Sequence, residues 1–193
     1  MKKYMQMLIV IVLIGATVFV FYDYYKEANK QAEFEESISQ EEIYDSSGNE
    51  IQYGANKGDK VYDYKLTDMV TGETSKISDY HGKRVYMFFW ASWCPHCKNQ
   101  AIILQELHEE HDDIMVIGVN LHDTESNKDT PLELIEELGL TYLNVNVQDE
   151  MLDTFYIQST PTSLFINSEG IIEEGVVGGL PKEVIESRFD RVD

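Results

Sequence analysis

The sequence predicts an α/β domain, a central mixed sheet flanked by helices, preceded by an N-terminal transmembrane helix and an acidic linker. Three observations lead there. Short β-branched and aromatic runs alternate with stretches of helical spacing from residue 58 onward. An uncharged apolar run opens the chain behind Lys2 and Lys3. Between the two lies a segment dominated by Glu, Ser, Asn and Gln. The expected organisation is therefore an anchor over 1–22, a linker over 23–57 and one folded domain over 58–193.

The anchor is read from length and flanks. The run from 4 to 22 makes about 28 Å of helix at about 1.5 Å per residue, near the ~30 Å hydrocarbon core. Phe21, Tyr22, Tyr24 and Tyr25 supply an aromatic edge for the interface. Lys2 and Lys3 hold the N-terminus in the cytoplasm, which places the rest of the chain outside the cell membrane. A cleaved signal is the rival reading. It needs small residues after the apolar run, where this chain has Phe19-Val20-Phe21-Tyr22. The following segment carries Glu33, Glu35, Glu36, Glu41 and Glu42, and its 26–43 portion has helix-forming composition. As a self-repelling coil it would reach roughly 30 Å.

The domain is then laid out in order. Residues 62–67 alternate as a strand, Thr71-Gly72 marks a turn, and 75–78 reads as a second short strand. Residues 84–90 form a run suited to burial on both faces. A helix is expected over 95–110, with Pro95 at its first position. A second buried strand covers 114–119. A helix over 130–138 has Thr130 as cap and Gly139 as its stop. A short helix over 150–156 leads to Thr160-Pro161. Residues 163–166 and 171–177 pair as a hairpin around Asn167-Ser168-Glu169-Gly170, and a last helix spans 181–191.

The formal charge of −20 argues against nucleic acid and anionic lipid surfaces as partners, since both select clustered Lys and Arg. The 43% hydrophobic content supports a real core. With only two cysteines, the chain is neither a disulfide-stapled scaffold nor a four-thiolate zinc site. No metal site is expected. His81, His108, His111 and His122 share no ligand spacing, and Asp112, Asp113, Asp123 and Glu125 read as solvated loop charges.

The chemistry-bearing segment is Trp93-Cys94-Pro95-His96-Cys97-Lys98, where a buried strand gives way to a helix. Cys94 falls at the helix N-terminus, where unpaired N–H groups and the positive dipole end favour a thiolate. Cys97 lies one turn later on the same face and can close a short ring as a redox-active disulfide. Thiolate attack, a mixed disulfide and resolution by the second cysteine complete a cycle that needs no cofactor. Pro95 and His96 tune the pair. Each unit by which the Cys94 pKa is lowered corresponds to about 1.4 kcal/mol, or about 30 mV in a two-electron couple. The competing readings are a metal carrier using both cysteines and a histidine, and a non-catalytic assembly domain.

Phe89-Trp90-Ala91-Ser92-Trp93-Cys94-Pro95-His96-Cys97 resembles the active-site segment of the thioredoxin superfamily, and Thr160-Pro161-Thr162 resembles its cis-proline loop. Leu66, Thr71-Gly72, Ile77-Ser78-Asp79 and Gly82-Lys83 upstream, with Phe165-Ile166-Asn167 and Gly170 downstream, are similar to the TlpA/ResA-like group of membrane-tethered bacterial thiol–disulfide oxidoreductases. The resemblance runs from about 58 to 187. It implies a thioredoxin-like fold and a cis Pro161 lying against Cys94 and Cys97. Trp93, Thr160 and Pro161 would form the substrate surface, with protein dithiols and disulfides as clients and a membrane or thiol redox partner. Trp90 belongs either to the site or to the core. Three positions depart from the pattern. Phe88 stands where thioredoxin keeps a buried acid, Gln100 where reducing members keep a glutamate, and Pro95-His96 resembles the dipeptide of DsbA-type oxidants. These leave the direction open with a slight lean to oxidation.

Overall fold

The computed structural model describes residues 50–191 together with positions 4, 17–19, 21–22 and 24–26. The chain divides into two units, Met1–Glu50 and Ile51–Asp193. In the first, positions 4, 17–19, 21–22 and 24–26 are helical, with Phe19, Phe21, Tyr22, Tyr24 and Tyr25 exposed. Most of the expected anchor and of the linker lies outside the described residues. Among the described residues no helix is long and apolar enough to cross a membrane.

The second unit begins at Ile51, earlier than the boundary expected at Gly58. The reason is backbone pairing that local composition does not reveal. Lys60 N donates to Gln52 O at 2.7 Å, Gly54 N to Lys60 O at 3.1 Å, and Gly58 N to Ile172 O at 2.7 Å.

A two-stranded antiparallel ribbon comes first, β1 (Lys65–Thr67) with β2 (Thr74–Lys76). The strand expected over 75–78 stops at Lys76, because 77–80 turn as a 3-10 helix. Two carboxylates hold that turn, Asp79 accepting from Lys76 N at 2.8 Å and Asp63 from Ser78 N at 2.9 Å. The main sheet is built from β3 (Arg84–Trp90), β4 (Ile114–Asn120), β5 (Leu143–Asn146), β6 (Thr162–Ile166) and β7 (Ile172–Val177). Their order is β5-β4-β3-β6-β7. β3 runs parallel to β4 and β4 to β5, whereas β6 is antiparallel to both β3 and β7. The sheet is therefore mixed, with β3 at its centre. The helices are α1 (Pro95–Glu110), α2 (Thr130–Leu138), α3 (Asp149–Phe155) and α4 (Lys182–Phe189). Gly139 closes α2 at φ 62°, a left-handed conformation that suits glycine. The helix is capped by Asp129 rather than Thr130, without a side-chain capping bond. The β5 strand was not anticipated. Its four residues, Leu-Asn-Val-Asn, carry too few apolar positions to stand out, and pairing with β4 makes the strand.

Alternate residues of β3 serve opposite faces, as a strand's period of two requires. Tyr86, Phe88 and Trp90 join one buried cluster with Ala101, Leu104 and Leu107 of α1 and Ile185 and Phe189 of α4. On the other face Phe89 meets Phe155 of α3, ring centroids 5.4 Å apart. Each such side chain stabilises the fold by about 1.5–3 kcal/mol on burial. Tyr64 extends that second face. Its hydroxyl lies 2.8 Å from Thr154 Oγ1, and burial pushes its pKa up to about 12 against the lowering effect of that bond.

One backbone position works against its residue type. Tyr156 caps α3 at φ 49°, the left-handed region, while its side chain stands 77% exposed. An L-residue there costs roughly 1–2 kcal/mol, which glycine avoids, although glycine returns part of that gain as unfolded-chain entropy. Tyr156→Gly is therefore expected to raise stability by up to about 1 kcal/mol. A higher urea midpoint at constant m-value would show it, and a lower midpoint would mean that the ring makes a contact of value.

Candidate active site

The register of the sheet brings four segments to one end. β3 leaves the sheet at Trp90, paired with Asn120, the last residue of β4. β6 begins at Thr162, which pairs with Phe89 of β3 on one side and Val177 of β7 on the other. Residues 91–94, 121–125, 160–162 and 177–179 thus converge at the C-terminal end of β3. The sequence motif and the Thr160-Pro161 pair meet here although long stretches of chain separate them.

Cys94 is the N-cap of α1, in extended conformation at φ −90°, with Pro95 in the first turn behind it. Cys94 and Cys97 are joined as a disulfide, their Cα atoms 5.2 Å apart. Cys97 N donates to Cys94 Sγ at 3.2 Å, so the helix end directs an amide at that sulfur. Both residues are buried in the cluster that holds Phe88 and Trp90. Cys94 keeps 4% exposure against 1% for Cys97, and neighbouring Trp93 is 56% exposed. The route from solvent is therefore to the Cys94 sulfur, past an indole. The Thr160–Pro161 bond is cis, and Thr160 O lies 3.6 Å from Cys94 Sγ. Gly178 N donates to Pro161 O at 2.8 Å, which ties that loop to the end of β7.

The residues singled out from the sequence thus fall at one place. Trp93, Cys94, Cys97, Thr160 and Pro161 adjoin, and Pro95 and His96 are exposed in the first turn of α1. Trp90 is core, 2% exposed within the buried cluster. Phe88 is fully buried, so the place of an internal acid is filled by hydrocarbon. Gln100 is buried as well, its Oε1 accepting from Leu180 N at 2.6 Å, and so links α1 to the segment preceding α4.

His111 is partly buried, with Nε2 3.2 Å from Glu186, and His108 packs edge-on to Tyr142 at 6.3 Å. The ligand atoms of Glu110, His111 and Glu186 lie within 4.8 Å of one another, but Lys182 pairs with both glutamates and supplies the cation there. Glu125 is not a loop charge. It is buried, and it accepts from Ser92 N at 2.7 Å, from Asn120 Nδ2 at 3.0 Å and from Ser92 Oγ. No local pattern marks it, because its main partner is distant in sequence. The signal that was available is Ser92, a hydroxyl placed between a core strand and a redox motif.

Comparisons with known proteins agree with this geometry. Residues 57–174 match the AhpC/TSA family. The chain is 27% identical to the thiol-disulfide oxidoreductase ResA of Geobacillus kaustophilus over 138 residues, covering 70% of this chain and 77% of that protein. It is 32% identical to ResA of Oceanobacillus iheyensis over 141 residues, covering 70% and 72%. Among solved structures, StoA from Bacillus subtilis superposes with a TM-score of 0.57 at 27% identity, covering 64% of this chain and 93% of that one. The family match over most of the chain, with these relatives and this thioredoxin-like sheet, makes the chain a member of the AhpC/TSA family and a thiol–disulfide oxidoreductase of the ResA/StoA type.

Proposed function

We propose that this chain exchanges disulfides with protein clients outside the cytoplasm, held at the membrane by its first 22 residues, with Cys94 as the attacking and attacked sulfur and Cys97 as its resolving partner. The observation that carries the site assignment is the Cys97 amide aimed at Cys94 Sγ on a helix N-terminus. That donor and the dipole end favour negative charge on sulfur, which makes Cys94 both a nucleophile when reduced and a leaving group in a mixed disulfide.

In the oxidising direction a client thiolate attacks Cys94 Sγ, and the Cys94–Cys97 bond breaks with its electron pair on Cys97. A second client thiolate attacks the client sulfur of the mixed disulfide and releases Cys94. The client gains one disulfide, and two electrons rest on the dithiol. A membrane or thiol partner must then accept those electrons. The same steps reversed reduce a client. Phe88 and Gln100 place no acid at the positions where reducing relatives use one, and Pro95-His96 leans the couple toward oxidation. Trp93, Thr160 and Pro161 offer the client an exposed indole and the loop beside the sulfur.

The location rests on Lys2 and Lys3 ahead of the uncharged apolar run. Its test is labelling in intact cells: a membrane-impermeant maleimide should modify reduced Cys94, and protection until lysis would overturn the placement. The direction is tested by the reduction potential of the couple. A value near about −120 mV is expected, the range of strong oxidants, and one near about −270 mV would make the protein a reductant. Protein that neither reduces insulin nor oxidises a dithiol peptide would refute the exchange activity.

A further inference from the structure

We propose that Glu125 is a positioning residue for the dithiol, acting on Cys94 through Ser92. The proposal rests on Cys94 being the reacting sulfur, and it assigns a task to Glu125, the one acidic side chain among the described residues that is enclosed at this end of the sheet.

The argument starts from cost. A carboxyl group 6% exposed loses most of its hydration, which is unfavourable unless hydrogen bonds replace the water. Glu125 has such replacements, and all three donors are neutral: the Ser92 amide, the Ser92 hydroxyl and the Asn120 side-chain amide. An apolar residue would fill the same space without that penalty. What the acid adds is a fixed geometry for the backbone it grips.

That backbone leads into the cysteine. Ser92 is two residues before Cys94, and Cys94 N turns back to Ala91 O at 3.1 Å. Pinning Ser92 by both amide and hydroxyl fixes where the turn begins, and so where Cys94 Sγ meets Cys97 N and Thr160 O. The same loop holds the indole. Trp93 Nε1 donates to Thr124 Oγ1 at 3.1 Å, and the Thr124 hydroxyl donates to Leu121 O at 2.7 Å. Leu121 N in turn donates to Trp90 O at 2.8 Å, which fastens the base of the loop to the end of β3. Residues 121–125 are thus a clasp over 90–93, with Glu125 its buried end and Thr124 its outer one. Sulfur reactivity depends on alignment at the ångström scale, and misplacement by about 1 Å can cost on the order of 10²-fold in rate.

The test uses the full chain with Glu125→Ala, Glu125→Gln and Ser92→Ala. Three quantities are read: the pH profile of Cys94 alkylation by iodoacetamide in the reduced protein, kcat/KM for oxidation of a dithiol peptide, and the thermal midpoint. Glu125→Ala is expected to shift the alkylation profile and to lower kcat/KM by about tenfold or more. Glu125→Gln keeps an acceptor for Ser92 N and should recover activity to within about threefold of the parent. Ser92→Ala, which removes only the hydroxyl, should fall between the two. If Glu125→Ala keeps the parental alkylation profile and kcat/KM while only its thermal midpoint falls, the acid merely holds the fold and the proposal is overturned. Should Glu125→Ala not fold, a Ser92→Ala protein indistinguishable from the parent in both chemical readings overturns it equally. A parent chain that exchanges no disulfides would refute the exchange activity, while the alkylation profiles would still decide the role of Glu125.

Discussion

Cys94→Ser is expected to reduce disulfide exchange to the uncatalysed rate, and Cys97→Ser to produce a protein that stalls as a covalent complex with its client. The two outcomes differ because the sulfurs differ in position. Cys94 caps the helix beside exposed Trp93, whereas Cys97 is enclosed one turn in. A serine hydroxyl at position 94 is not ionised at neutral pH and is a far weaker nucleophile than a thiolate, so attack is lost. With serine at 97, Cys94 still attacks a client disulfide, but nothing resolves the product. Mass spectrometry of the Cys97→Ser chain mixed with an oxidised client should show a one-to-one adduct that a thiol reductant removes. An adduct formed by Cys94→Ser and not by Cys97→Ser would reverse the assignment. Unfolding is not a competing explanation. The bridge closes a sequence separation of only three, for which chain-entropy arguments give about 2 kcal/mol.

The second large effect belongs to the core. Phe165 is fully buried in β6, with Tyr86 edge-on at 5.0 Å and Phe189 tilted at 5.0 Å. The Arg188 guanidinium lies 5.5 Å from the ring centroid, and Arg188 also pairs with Glu174 at 2.6 Å. One ring therefore joins the central strand, the hairpin and α4. Phe165→Ala removes that ring from a site walled by two large aromatics whose backbones cannot close the gap. The expected loss is about 3–5 kcal/mol, which for a domain of this size lowers Tm by about 10 °C or more. A loss under about 1 kcal/mol by urea titration would show that α4 repacks freely. Because Phe165 pairs with Tyr86, several residues before the end of β3, the Cys94 alkylation rate in the folded variant should stay at the parental value.

These two variants also separate what local sequence encodes from what it does not. The strand Arg84–Trp90 and the helix Pro95–Glu110 match their expected limits, because an unbroken β-branched and aromatic run and a proline at the first helical turn are local signals. The cysteine pair at their junction was legible for the same reason. The edge strand Leu143–Asn146 was not, since two of its four residues are asparagine and its partners, β4 on one side and Asp68-Met69 on the other, are distant in sequence. The hairpin was readable from the turn at Asn167, whose Oδ1 accepts from Glu169 N at 3.1 Å and from Ile171 N at 2.9 Å.

By itself the sequence determined the alternation of elements and the cysteine pair at the strand–helix junction, because spacing, capping and turn chemistry act over a few residues. Only the tertiary structure decided that Thr160 O stands 3.6 Å from Cys94 Sγ, that residues 51–57 belong to the folded unit, and that Glu125 is enclosed. A carboxylate in a loop reads as solvated until its donors are known, and Ser92 is brought to it by the pairing of β3 with β4. Burial and the partners that make it tolerable are long-range quantities, fixed by sheet register rather than by neighbours in the chain.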